Sequence, residues 1–317
     1  MNEKIVTKYE KKPDWLRIKL PSGDNYVNVR QTVASLGLHT VCEEARCPNL
    51  GECWGGGTAT IMIMGNICTR GCRFCSVASG RPFYLDPDEP DRVARAIKNW
   101  GLRYVVITSV CRDDLPDEGA NHIAKTIKAV KVQCPHTIIE PLIPDFHGNR
   151  QSIERVIDAG PEVISHNIET VARLSPLIRD PRATYEQSLR VLEMIKAIDC
   201  KVYTKSSLML GLGETEEEVM KAAKDLRSAG VDIVSMGQYM QPTIRHLPVK
   251  EYISPEKFDS YKKSIEKMGF AYTVAGPFVR SSYKAGEMFI KNIIYRRQQQ
   301  QPEQQHPEQY DKSRSKR

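Results

Sequence analysis

From about residue 59 onward, short apolar runs rich in β-branched residues alternate with longer segments whose apolar residues recur at helical spacing. Six such units can be traced. Strands are expected at 59–65, 103–109, 137–143, 162–167, 201–210 and 231–237, and helices at 88–100, 119–133, 150–159, 185–198 and 214–229. A sixth helix, 255–268, leads into a last short run at 271–275. Strands separated by helices pair in parallel and must be covered by those helices, which leaves a barrel, whole or partial, or a doubly wound sheet. A doubly wound sheet would place a glycine-rich phosphate turn after its first strand, where this chain has Asn66-Ile67-Cys68. Polar residues recur instead near the ends of several strands: Thr108, Ser109, Asn167, Glu169 and Lys205. A barrel collects its active site at that end, so an α/β barrel is expected.

Residues 1–58 do not repeat the pattern and are expected to cap a barrel spanning 59–270, followed by a C-terminal segment, 271–297. The remainder, 298–317, is Gln, Pro, Glu and basic residues, with almost nothing to bury, and is expected to be disordered. No run approaches the roughly 18 apolar residues of a membrane span. The opening MNEKIVTKYEKK lacks the apolar core of a signal peptide, so a cytoplasmic location without membrane contact is expected. The net charge of +7 is partly carried by Arg296, Arg297, Lys312, Arg314, Lys316 and Arg317, and does not by itself argue for nucleic acid.

Six of the nine cysteines crowd into residues 42–75. Cytosolic thiols stay reduced, so a disulfide framework is not expected. Cys68, Cys72 and Cys75 form a Cys-x3-Cys-x2-Cys loop directly after the first strand. Three thiolates can hold three corners of a cubane iron-sulfur cluster, leaving one iron open to a chelating small molecule. Zinc is the competing reading, but zinc sites usually add a fourth Cys or His in paired spacing, and no histidine lies between His39 and His122. Cys42, Cys47 and Cys53 make a second triad, Cys-x4-Cys-x5-Cys, again without a fourth thiol. Arg280-Ser281-Ser282-Tyr283 offers an unusual oxygen ligand, although such a segment is also an ordinary polar turn before a helix. Cys111, Cys134 and Cys200 read as small buried hydrophobes.

The cysteine loop resembles that of the radical S-adenosylmethionine superfamily. VCEEARCPNLGECW, MGNICTRGCRFCSV, VITSVCRDDLPDEGA, HNIETV, SSLMLGLGET and GPFVRSSYKAGE together resemble the lipoyl synthase family over about residues 35–290. That resemblance implies a partial (β/α)6 TIM-like barrel whose N-terminal cap carries an auxiliary cluster. It implies two 4Fe-4S clusters and S-adenosyl-L-methionine as cofactors: Cys68, Cys72 and Cys75 on the cluster that cleaves the cosubstrate, and Cys42, Cys47, Cys53 and Ser282 on the auxiliary one. Which of Ser281 and Ser282 ligates is left open. Thr108, Ser109, Asn167, Glu169, Arg179 and Lys205 are candidate cosubstrate contacts, the last two for its carboxylate. Arg280 either steadies charge as the serine leaves iron or makes a surface salt bridge. Arg112, Asp113 and Asp114 are given no role beyond loop structure.

The implied reaction is sulfur insertion at C6 and C8 of an octanoyl chain on a lysine of a carrier domain. Those carbons are beyond acid-base chemistry, so a radical is needed and the cofactors supply it. Implied partners are an octanoylated carrier (a 2-oxoacid dehydrogenase E2 subunit or the glycine cleavage H protein), an electron donor such as ferredoxin or flavodoxin, and an iron-sulfur cluster carrier. Two rivals remain. Biotin synthase lacks the first triad and methylthiotransferases normally append an RNA-binding domain, while a ferredoxin-like carrier usually gives each cluster four cysteines and has no use for six βα units.

Overall fold

The computed structural model describes residues 12–18 and 22–282. The expectations for Tyr283, the rest of 283–297 and the tail 298–317 lie outside the described residues. Ten strands are present among those described: β1 His39–Thr40, β2 Ile61–Ile63, β3 Ile67–Cys68, β4 Ala78–Ser79, β5 Tyr104–Ser109, β6 Ile138–Leu142, β7 Val163–Ser165, β8 Tyr203–Leu210, β9 Ile233–Gln238 and β10 Tyr272–Gly276. The helices are α1 Asp24–Ser35, α2 Val41–Glu44, α3 Leu50–Gly55, α4 Glu89–Trp100, α5 Ala120–Gln133, α6 Arg150–Ile157, α7 Ser175–Ile178, α8 Tyr185–Ile198, α9 Glu216–Ser228 and α10 Pro255–Glu266.

Eight strands form one sheet in the order β1-β2-β5-β6-β7-β8-β9-β10, parallel throughout except for β1, which runs antiparallel to β2. The order never reverses. A doubly wound sheet must reverse, so the fold is the partial barrel, open between its two edge strands. No described helix is long and apolar enough to cross a membrane.

Two strands are cut to three residues each, about half the length the sequence suggests, for local reasons. β2 stops at Ile63 because Met64 (φ 68°) and Gly65 (φ 85°) turn left-handed, aiming the chain into the cysteine loop, while the Met64 N–H is caught by the buried Glu89 carboxylate at 2.8 Å. β7 stops at Ser165, and Glu169 (φ 65°) then bends back to bridge Leu208 of β8. Helix α9 begins at Glu216 rather than 214, where Thr215 and Glu218 form a reciprocal capping box.

Strand alternation sorts the side chains. Val105, Ile107, Ile139 and Ile164 face outward into a core shared with α4, α5 and α6, whereas Tyr104, Val106, Ile138, Val163, Tyr203 and Ile233 fill the barrel floor. Above them lies a buried charge. The Glu140 carboxylate accepts from Tyr104 Oη, Ser165 Oγ and Lys205 Nζ, the last at 2.9 Å. This corrects the expectation for Lys205. Its side chain is on the inward face, but Lys205 is the third residue of an eight-residue strand, too deep to reach the open end, and its ammonium is held by Glu140. Lys205→Met should therefore leave an uncompensated buried carboxylate and cost about 3–5 kcal/mol in a denaturant titration. A variant of unchanged stability with impaired cosubstrate affinity would contradict this structural role.

Candidate active site

A cavity of about 470 Å³ opens at the C-terminal ends of the strands. Cys68, Cys72 and Cys75 line it, as do Thr108, Ser109, Asn167, Glu169 and Arg179. Cys47, Arg280, Ser281 and Ser282 line the same cavity. Cys42 is buried behind Cys47 and Cys53 belongs to α3; neither reaches the cavity wall, and Lys205 is absent from it.

The cysteine loop is pinned by ions. Arg70, buried between Cys68 and Cys72, donates to both oxygens of Asp113 (2.7 to 3.1 Å) and both of Asp145 (2.7 and 2.8 Å). Arg182 extends the network to Asp180 (2.8 Å), Asp113 (3.2 Å) and the Thr69 carbonyl (2.8 Å). Burial works to raise the Asp145 carboxyl, but the bonds and charge of Arg70 outweigh it and hold the group near pKa 2. Asp180 in turn accepts from the Gly71 N–H, and its own N–H points at Cys72 Sγ (3.3 Å). Cys68 Sγ receives the N–H groups of Arg70 (3.4 Å) and Cys111 (3.3 Å). The Cys111 thiol, these amides and the Arg70 charge together lower Cys68 to about 6 against the effect of burial, while burial pushes Cys75 up to about 12.

This donor set fits a cluster. All nine cysteines are free, and N–H groups aimed at sulfur stabilise thiolate ligands. Among the described residues the one His/Cys/Asp/Glu trio whose ligand atoms all lie within 4.8 Å of one another is Asp113, Glu118 and His147. Neither cysteine triad contracts that far, as the ligands of a single zinc ion would.

Unpartnered polar atoms face the same space: Asn167 Oδ1, Arg179 Nε and Ser109 Oγ are buried without a hydrogen bond. Asn167 Nδ2 donates to Glu169 Oε1 at 3.1 Å, and burial raises the Glu169 carboxyl. The Arg179 guanidinium donates to Ser188 Oγ (2.8 Å), which pairs with His166 Nε2 (3.0 Å), whose Nδ1–H meets the Ile143 carbonyl (2.9 Å). Burial and the Arg179 charge keep His166 neutral, with its pKa lowered to about 4.

The second triad is brought in by contacts across the length of the chain. Thr40 caps α2 and carries Cys42, and Arg46 (φ 51°) turns the chain so that Cys47 N–H bonds the Cys42 carbonyl at 2.9 Å. Asn49 Nδ2 then donates to the Phe278 carbonyl at 2.6 Å, tying the cap to the segment before Arg280. That segment crosses β9 so closely that a Cβ on Gly237 would stand 1.9 Å from the Val279 carbonyl oxygen. Arg280 donates to the Pro277 and Val279 carbonyls and makes no ion pair among the described residues. Burial raises the Cys47 thiol, and the Arg280 charge opposes it.

With this geometry in hand, the comparisons are direct. Residues 62–238 match the model of the radical SAM superfamily, and residues 2–47 that of the N-terminal domain of lipoyl synthase. The mitochondrial lipoyl synthase of Rattus norvegicus is 56% identical over 291 residues, covering 90% of this chain and 78% of that protein. The human mitochondrial lipoyl synthase is 55% identical with the same coverage. The chain belongs to the lipoyl synthase family. Its relatives also include the apicoplast lipoyl synthase of Plasmodium knowlesi, 54% identical over 91% of this chain and 65% of that one. These organelle designations lend no support to a cytoplasmic address. Among solved structures, methylornithine synthase aligns with a TM-score of 0.52 at 14% identity (78% of this chain, 81% of that one), a likeness of fold alone. Membership makes this an enzyme of the radical SAM type, with a 4Fe-4S cluster and S-adenosylmethionine.

Sequence reasoning missed Arg70, Asp145, Asp180 and Arg182, and left Asp113 without a role. It also read Cys111 as a bystander, and Cys200, read as buried, is exposed. An arginine inside a cysteine loop and the Arg112-Asp113-Asp114 charge run were visible signals; the pairing of Arg70 with Asp113 and Asp145, 43 and 75 residues away, was not.

Two outcomes are expected. Gly237→Ala must displace the Val279 main chain, so it should lower iron loading by the second triad while the loop cluster still forms, as read by iron content and Mössbauer spectra of reconstituted protein. Normal loading of both would refute the cradle. Because His166 is lowered from 6.5 to about 4, its neutral-state stability is present above pH 6.5 and lost as pH falls towards 4. Chemical denaturation of cluster-free protein should lose up to about 3 kcal/mol over that window, a slope that His166→Gln flattens. An unflattened slope would assign the pH dependence to other groups.

Proposed function

We propose that this lipoyl synthase family member builds the lipoyl cofactor on its carrier, adding sulfur at C6 and C8 of a protein-bound octanoyl-lysine chain. Cys68, Cys72 and Cys75 would hold the cluster that serves S-adenosylmethionine. Cys42, Cys47, Cys53 and Ser282 would hold a second 4Fe-4S cluster, which would supply the inserted sulfur. The observation that carries this reading is one cavity lined both by the loop cysteines and by Cys47, Arg280 and Ser282. When bound, the cluster and cosubstrate supply a radical able to take hydrogen from unactivated carbon.

The chain's own residues then have defined tasks. Phe74, Val110, Ile143, Leu208 and Met209 give the cavity apolar walls that exclude water and follow an alkyl chain. Thr108, Ser109 and Asn167, at or beyond strand ends, hold the polar parts of the cosubstrate, and Arg179 meets its carboxylate with the guanidinium edge that lacks a protein partner. Glu169 receives hydroxyl or amino donors, fixed by its left-handed backbone. Arg280 favours thiolate over thiol at Cys47 and stands beside Ser282, whose hard alkoxide oxygen is the ligand most easily displaced from iron.

The partners that follow are an octanoylated carrier domain, an electron donor such as ferredoxin or flavodoxin, and an iron-sulfur cluster carrier. Anaerobically reconstituted protein given reductant, S-adenosylmethionine and an octanoyl-lysine peptide should yield 5'-deoxyadenosine and a peptide bearing two added sulfurs, read by mass spectrometry. Deoxyadenosine without sulfur transfer would overturn the proposal while leaving the superfamily intact. Replacing Cys42, Cys47 and Cys53 together with Ala should leave about half the iron and keep cosubstrate cleavage, since each triad anchors its own cluster. Loss of cleavage as well would refute that division of labour.

A further inference from the structure

The cysteine loop has a second face. A pocket of about 260 Å³ lies outside it, walled by Gly71, Cys72, Arg73 and Cys75 on one side and by Arg245, His246 and Leu247 on the other. Cys72 and Cys75 line both this pocket and the inner cavity, so the loop is the partition between them. His246 fixes the two walls together, with Nε2–H donating to the Cys75 carbonyl (3.0 Å) and Nδ1 accepting from Thr243 Oγ1 (2.8 Å). The Leu247 N–H reaches the Arg73 carbonyl at 3.5 Å.

The rim is cationic. Arg73 and Arg245 are exposed, and neither guanidinium pairs with a carboxylate among the described residues; Arg73 Nη1 donates only to the Leu177 carbonyl, at 3.0 Å. Beside them stand two apolar side chains open to solvent, Leu177 at 57% and Ile244 at 70% exposure. Unpaired cations around exposed apolar groups are the make-up of a small, transient, electrostatically steered interface.

We propose that this outer pocket is the docking surface for a small acidic one-electron carrier protein, which reduces the loop cluster through Cys72 and Cys75 without entering the inner cavity. The inference rests on the assignment of Cys68, Cys72 and Cys75 made above. An octanoylated carrier does not suit the pocket, because its acyl arm must reach the inner cavity, from which the cysteine loop divides it. The step is a bare electron transfer. A flavin hydroquinone on the carrier loses one electron to become the semiquinone, the oxidised cluster gains that electron, and no atom crosses the partition. The arrangement keeps the docking partner's hydrogen donors away from the radical on the far side.

The test uses reconstituted holoprotein, Arg73→Glu/Arg245→Glu and Arg245→Glu alone, with fully reduced flavodoxin as the probe. Reversing both charges should slow cluster reduction by flavodoxin about tenfold or more at low salt, with weaker flavodoxin binding and a flatter salt dependence. Iron content and the rate of reduction by dithionite, too small to need docking, should stay unchanged. Arg245, whose side chain has no protein partner among the described residues, gives the same direction with less risk to folding. Unchanged flavodoxin affinity and rate in both variants would overturn the proposal. So would a loss confined to affinity for the octanoylated carrier, which would give the surface to that partner. Failure of dithionite to support cosubstrate cleavage in the unaltered protein would instead count against the proposed function, since flavodoxin affinity is measured independently of it.

Discussion

A loop of three cysteines can bind a cluster only if its main chain holds still when the thiols are deprotonated, and here that depends on the Arg70 guanidinium. It sits in the middle of the loop, buried, with four carboxylate oxygens of Asp113 and Asp145 around it. Those two acids leave from the ends of β5 and β6, so one side chain ties the loop after β2 to the next two strands of the barrel. A buried cation held by one buried and one part-buried anion is stable only as a complete set, because removing any member leaves a charge without compensation. Arg182 and Asp180 continue the chain of charges to Cys72. The cluster loop is therefore as rigid as the barrel mouth from which it projects.

The second half of the site depends on close approach rather than charge. The C-terminal segment reaches the cap by passing over β9, and only a residue without a Cβ permits the Val279 carbonyl to lie against Gly237. The Asn49 amide then fastens Phe278 from the cap side. The β9–β10 pairing and the Gln238 N–H to Pro277 carbonyl bond carry the segment the same way, so Ser281 and Ser282, more than 200 residues from either triad in sequence, come to line the cavity that the cysteine loop lines.

The legible and illegible parts of this site differ in kind. Alternation of strands and helices, the spacing of the triads and the polar residues at strand ends are periodic or local, and the barrel and most cavity-lining residues could be read from them. Depth could not. Lys205 shares its face with Tyr203 and Ser207, but of the three only Ser207 reaches the cavity, because Lys205 lies well before the strand's end at Leu210. Asn167 and Glu169 were placed at a strand end, yet β7 stops at Ser165 and a left-handed Glu169 restores the approach to β8. The Arg70 partners were illegible for a different reason: an ion pair over 75 residues leaves no period in the sequence.

The two arginines facing the loop show how pairing divides structural from chemical roles. Each guanidinium nitrogen of Arg70 already donates to a carboxylate, so its charge is compensated within the protein. Arg179 is equally buried but meets only a serine hydroxyl and main-chain carbonyls, with Nε unmatched at the cavity wall. Burying a cation without a counter-ion is unfavourable unless something else offsets it. The offset within the protein is partial: Ser188, a His166 held neutral, and the Glu169 carboxyl, whose charged form Arg179 favours without forming an ion pair with it. A ligand carboxylate arriving at Arg179 would complete the missing pair, whereas at Lys205 it would have to displace Glu140. The difference in pairing, more than the difference in residue type, decides which cation is open to substrate.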